Sequence, residues 1–187
     1  MNLLGIYNKC IDNGISLPEN FLENYDTKTY TSVYLHSYLT KNIENKEKCK
    51  LDDDAWNDAK NFYRKYMSNP NSIFYIDTKS ILPDVQKCIN IVKEAGGKVS
   101  IPHIYEYKDK SEKILQYLLD NTEIDGIECY YTTFTKNQTE HLLKICKEKN
   151  KYISGGSDYH GTYKPDVELG VGYGDLKIPT DIVKDWL

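Results

Sequence analysis

The chain has 187 residues, 40% hydrophobic and 28% charged, which fits one packed domain, or a domain with an appendage, and excludes a disordered tail. No apolar run approaches the ~20 residues of a membrane helix, and MNLLGIYNKC lacks the features of an export signal, so no membrane partner and a cytoplasmic location are expected. A formal net charge of −4 leaves no overall basic field for nucleic acid, and Arg64 is the sole arginine among 24 Lys and Arg residues, so lysines or metals would have to hold any anion.

Leu3, Leu4, Tyr7, Cys10 and Ile11 recur at helical spacing up to Gly14 and predict an N-terminal helix. A second helix is predicted over Tyr30 to Leu39, with Tyr30, Val33, Tyr34 and Tyr38 on one stripe. The charged KNIENKEKCK reads as a loop. Asp52, Asp53 and Asp54 then precede Trp56, Ala59, Phe62, Tyr63 and Tyr66 at the same period, until Asn69, Pro70 and Asn71 break it. Tyrosines number 17, and their helical spacing without interleaved arginines argues for packing over base stacking.

From Ser72 the rhythm changes. Val85, Cys88, Ile89 and Val92 share a helix face that Gly96 and Gly97 close, and KVSIP follows as a strand. Next come a helix in SEKILQYLLDN on Ile114, Leu115 and Leu118, a strand in IDGIECYY, a helix in QTEHLLKICKEKN and a strand in YISGGS. This alternation argues for parallel βαβ units in an α/β sheet or barrel. The chain therefore divides into a helical segment, 1–71, and an α/β part, 72–187.

Two of the four histidines stand where strands end, His103 after KVSIP and His160 after YISGGSDY, and α/β sites form beyond the carboxyl ends of parallel strands. In extended chain Asp158 and His160 point to the same side, so a carboxylate oxygen and an imidazole nitrogen can reach one cation. Gly155, Gly156 and Gly161 bracket the pair. Taken alone, a histidine after a strand, such as His103, is more often a hydrogen-bonded structural residue than a ligand. Glu128 lies on a strand expected to be buried on both faces, where a carboxylate needs a cation or donors unless it reaches water. His141 and His36 read as solvent-facing. The five cysteines, Cys10, Cys49, Cys88, Cys129 and Cys146, show no CxxC and read as reduced core thiols. GxxxxGK[ST], GxGxxG, GxSxG and HExxH are absent, so the common nucleotide hydrolases, Rossmann enzymes, serine hydrolases and zincins have no signature.

The succession EAGGKVSIPH, DGIECYY, GGSDYHG and KPDVELGVG resembles the later part of the PHP-domain metal-dependent phosphoesterases, nearest in pattern to their bacterial nucleotide and short-RNA phosphoesterases. Residues 1–71 resemble the helical insertion of these enzymes. The resemblance implies an α/β fold, a partial distorted (β/α) barrel with an N-terminal helical subdomain. It also implies that His103, Asp158 and His160 bind divalent manganese, zinc or iron, with Glu128 at the position of a family glutamate and Ser157 and Lys164 beside a phosphate. The implied reaction is hydrolysis of a small phosphate ester, a nucleotide or short RNA among them, by metal-activated water. The family's opening HxH is absent from this sequence, and Pro102 and Ile104 flank His103 where the family commonly has Ala-His-Pro. An incomplete, nearly inactive chain is therefore expected, one that self-associates or meets a partner supplying the missing strands. The alternative is a noncatalytic remnant that binds metal or phosphate or serves as a partner subunit.

Overall fold

In the computed structural model, which describes residues 3–186, α1 (Leu3–Asp12) stops just before Gly14, whose φ of +69° a residue with a side chain rarely adopts. The next helix, α2 (Thr31–Leu39), buries Thr31, Tyr34, Leu35 and Leu39, while Tyr30 is half exposed; the inward stripe is thus rotated from the one the tyrosines predict. KNIENKEKCK is not a loop, since α3 (Glu44–Cys49) lies within it. Its polar sequence conceals a buried anchor. Asn45 is fully buried, accepts a hydrogen bond from the Ser16 N–H at 3.0 Å and donates to the Ser16 and Leu39 carbonyls, a tertiary constraint that no local periodicity reports.

The single helix predicted across Trp56 to Tyr66 is three pieces. Asp52 caps α4 (Asp53–Asn57), and Asp58, in extended conformation, interrupts the chain and caps α5 (Ala59–Phe62), which runs into a π-helical turn at Tyr63–Met67. His36 is not solvent-facing: its Nε2 lies 3.0 Å from the carbonyls of both Ala55 and Trp56, and its ring packs against Phe62. The first compact unit runs from Met1 to Leu82 around Phe21, Leu35, Phe62 and Phe74. The division expected near residue 72 falls earlier than this boundary because Phe74, 1% exposed, and its neighbours Ile73 and Ile76 belong to that core.

The second unit, Pro83–Leu187, carries the parallel α/β pattern. Asp84 caps α6 (Val85–Glu94). Of the face predicted for this helix only Ile89 is buried; Val85 and Val92 are exposed, as are Ile91 and Cys88. The other four cysteines are buried thiols. Three strands form a parallel sheet in the order β1 (Ser100–Ile101), β2 (Gly126–Tyr131), β3 (Tyr152–Gly156). The KVSIP strand shrinks to two residues because Pro102 has no N–H to donate and His103 turns to φ +51°. A 3₁₀ segment, Ile104–Lys110, leads into α7 (Ser111–Asn121), and a Thr135–Gln138 capping box starts α8 (Lys136–Lys149).

Ile101, Leu115, Ile127, Cys129, Leu142 and Cys146 form the core of this unit, with the Cys129 and Cys146 sulfurs 3.5 Å apart. Beyond β3 the chain closes through Trp186, whose indole N–H donates to the Ile153 carbonyl at 2.7 Å. The α/β class holds, but among the described residues the sheet is open and three-stranded and no barrel is formed. Among the described residues no helix is long and apolar enough to cross a membrane.

Candidate metal and phosphate site

All six residues singled out by sequence lie in the second unit, after the carboxyl ends of β1 and β3 or on β2 between them. A bulge displaces the β2–β3 register between Glu128, which faces Ser154, and Tyr130, which faces Gly155. Such bulges re-aim side chains at the ends of strands. Glu128 Oε1 lies where a Cβ on Gly156 would come within 2.9 Å, so a glycine leaves room for this carboxylate. The other oxygen, Oε2, is buried and has no hydrogen-bond partner. Burial, and then the Asp158 carboxylate, push the Glu128 carboxyl up to about 7.

Two candidate ligands have left-handed backbone, His103 at φ +51° and Asp158 at φ +56°. Asn, Asp and His tolerate this region better than other side-chain residues, and such conformations gather at functional sites. The Nδ1 of His103 is buried without a partner, and its ring packs against Tyr131 with 5.6 Å between centroids. His160 Nδ1 lies 2.7 Å from the Asp158 carbonyl. A carbonyl can only accept, so the proton sits on Nδ1 and Nε2 carries the lone pair, the tautomer in which a histidine ligates a metal.

Asp158 is the hub. Its Oδ2 accepts from the Tyr131 hydroxyl at 2.8 Å and from the Lys164 ammonium, while Oδ1 lies 3.5 Å from His160 Nδ1. Burial pushes the Asp158 carboxyl up, but the Lys164 and Tyr131 hydrogen bonds outweigh it and hold the group below its usual range. Burial and the Asp158 carboxylate together raise the Tyr131 hydroxyl. Sequence reasoning assigned the tyrosines to packing and so missed this contact, which spans 27 residues and leaves no local signal. Lys164, expected beside a phosphate, pairs with Asp158. The Ser157 hydroxyl accepts from the Gly170 N–H at 3.1 Å and its carbonyl from Thr132, so its first role is to hold the loop. His141, exposed on α8, lies 3.5 Å from Glu112.

His103, Asp158, His160 and Glu128 mix imidazole nitrogens with carboxylate oxygens, a donor set that suits manganese, zinc or iron. The orphaned His103 Nδ1 and Glu128 Oε2 are buried polar atoms of the kind a cation and its water would satisfy. The chemistry fits a divalent ion. Yet among the described residues no three His, Cys, Asp or Glu side chains converge on one point. Beside the hub opens a cleft of about 630 Å³ whose lining includes Tyr130, Tyr131, Phe134, Lys136, Asp175 and Lys177.

No family model and no curated protein matches the sequence. Among solved structures the chain is similar to the 2.40 Å crystal structure of a Bifidobacterium adolescentis protein described as a candidate metal-dependent phosphoesterase, with a TM-score of 0.56 and 22% identity. The match covers 97% of this chain and 58% of that one, so this chain spans a little over half of that protein's length. The two share a fold.

The Glu128 environment sets a pH dependence. Between pH 4.5, the ordinary carboxyl value, and about 7 the folded chain binds more protons at Glu128 than the unfolded chain, so this residue's contribution to stability is lost as pH rises through that window. In urea denaturation with a chelator present, Glu128→Gln is expected to match wild type at pH 4 and to exceed it by roughly 2 kcal/mol at pH 8. The same difference at both pH values would contradict a raised Glu128.

Proposed function

We propose that this chain is part of a PHP-type metal-dependent phosphoesterase, in which the ends of its three strands form one side of a distorted (β/α) barrel site. The carrying observation is the placement of Asp158 and His160 after β3 and His103 after β1, with left-handed backbone at His103 and Asp158. The shared fold with a candidate metal-dependent phosphoesterase supports it. In this proposal His103, Asp158 and His160 hold a divalent manganese, zinc or iron ion, and Glu128 lies beside them. When bound, such an ion lowers the pKa of its water and neutralises charge on a phosphoryl group.

The residues of the chain do the rest. His160, fixed by the Asp158 carbonyl, presents Nε2 in one orientation. Tyr131 holds the Asp158 carboxylate in place, and the Lys164 ammonium beside it is able to pair with a phosphate. The adjacent cleft, with Tyr130, Tyr131 and Phe134 on its walls and Lys136 and Lys177 beside them, suits a small phosphate ester with an aromatic group, such as a nucleotide.

A phosphoryl clamp generally takes two or three metals, more ligands than these residues supply, so the isolated chain should bind no more than one ion and turn over slowly. Elemental analysis of chain purified from manganese-supplemented medium, with a phosphodiesterase and phosphomonoesterase screen, tests this. One equivalent of metal or less, lost in Asp158→Asn, together with weak activity or none, is expected. Metal retained by Asp158→Asn, or robust turnover untouched in His160→Ala, would contradict it. Bound metal with no activity even alongside an HxH-bearing segment would favour the noncatalytic alternative.

We also propose that a second copy of this chain covers the unfinished side of the α/β unit. The support is α6, which leaves Val85, Ile91 and Val92 exposed. Light scattering coupled to size exclusion should give a dimer that dissociates on dilution, and Ile91→Glu should shift it to monomer. A strictly monomeric species at every concentration would contradict self-association.

A further inference from the structure

Two buried thiols of the second unit meet between a strand and a helix. Cys129 on β2 and Cys146 on α8 are 0% and 1% exposed, and their sulfurs lie 3.5 Å apart. A disulfide holds its sulfurs about 2.05 Å apart, so the pair would have to close by about 1.5 Å. The backbone at Cys129 has the freedom for this. The β2–β3 pairing passes from Glu128 and Ser154 directly to Tyr130 and Gly155, which makes Cys129 the extra residue of the bulge, without a partner on β3. The two elements that carry the sulfurs are also two walls of the cleft of about 630 Å³, to which β2 contributes Tyr130 and Tyr131 and α8 contributes Lys136, Thr139 and Glu140.

We propose that Cys129 and Cys146 are a thiol–disulfide pair that hydrogen peroxide closes, fastening α8 to β2 and fixing these two walls of the cleft. The proposal stands apart from the hydrolysis proposed above and involves no metal. In the first step the Cys146 sulfur attacks a peroxide oxygen, the O–O bond breaks, and the departing hydroxide takes the Cys146 thiol proton as water, leaving a sulfenic acid. In the second the Cys129 sulfur attacks the Cys146 sulfur, the S–S bond forms, the S–O bond breaks, and the hydroxide leaves with the Cys129 thiol proton as a second water. Each sulfur loses one electron, and one peroxide is reduced to two waters. Cys146 reacts first for two reasons. It lies in the last turn of α8, which ends at Lys149, and opening of a helix end admits a molecule as small as peroxide. The hydrogen bond from Cys129 also holds the Cys146 thiol below its ordinary range despite burial. With Cys129 already in contact, the sulfenic acid is trapped before a second peroxide reaches it. The bridge would span 17 residues of chain, a constraint that disfavours the opened and unfolded states.

Peptide mapping of the full chain tests the closure. Chain treated with hydrogen peroxide, alkylated with iodoacetamide in denaturant and digested with trypsin without reduction should yield Ile114–Lys136 joined to Ile145–Lys147, lighter by two hydrogens than the separate peptides. Both peptides alkylated, both unlinked and carrying sulfinic or sulfonic acid, or either bridged to Cys10, Cys49 or Cys88 instead would overturn the pair. Hydrogen exchange followed by mass spectrometry tests the fastening. The amides of α8 should exchange about tenfold more slowly after peroxide than before, and dithiothreitol should reverse the difference. Equal exchange in the bridged and reduced chains would overturn the effect on the cleft wall. Cys146→Ala should lose both the linked peptide and the exchange difference, and a difference that persists in this variant would overturn its assignment to the bridge. The mapping and exchange of the wild-type chain decide the proposal even if Cys146→Ala fails to fold.

Discussion

The second unit is organised around one carboxylate. Asp158, turned to positive φ at the end of β3, takes hydrogen bonds from Tyr131 at the end of β2 and from Lys164 in the following loop, and its backbone carbonyl fixes the ring of His160. Those contacts tie two strands and the chain beyond them to one point. A carboxylate held half out of water must be neutralised, and the charge of Lys164 makes this arrangement tolerable. Glu128, one strand away, has no such partner and takes up a proton instead.

The same constraint explains the glycines here. Gly156 leaves space for Glu128 Oε1, and Gly172, at φ +59°, sits where a Cβ would come within 2.7 Å of the Thr132 hydroxyl. Thr132 in turn donates to the Ser157 carbonyl, so the loop after the site, the end of β2 and the turn that carries Asp158 are packed against one another.

Much of this was legible in the sequence. Periodicity located α1, α7 and α8 and all three strands, because those elements bury one regular face, and with the strands in place His103, Asp158 and His160 fall after their carboxyl ends. It failed where distant partners decide the outcome. The α3 helix depends on Asn45 bonding to Ser16, the break at Asp58 on a capping choice inside an otherwise continuous pattern, and the role of Tyr131 on a partner 27 residues away. Alternation left a sheet or a barrel open and the resemblance implied a partial barrel, because alternation specifies parallel neighbours and not the number of strands in a sheet. The short β1 shows how far one Pro102–His103 turn can trim a predicted strand.

The proposed function depends first on Asp158 and His160 holding a divalent metal ion. The most direct measurement is a crystal structure of the chain grown with manganese, with anomalous differences collected at the manganese edge. The account predicts an anomalous peak within bonding distance of Asp158 and of His160 Nε2. A peak bound by other residues, or none at saturating manganese, would contradict it.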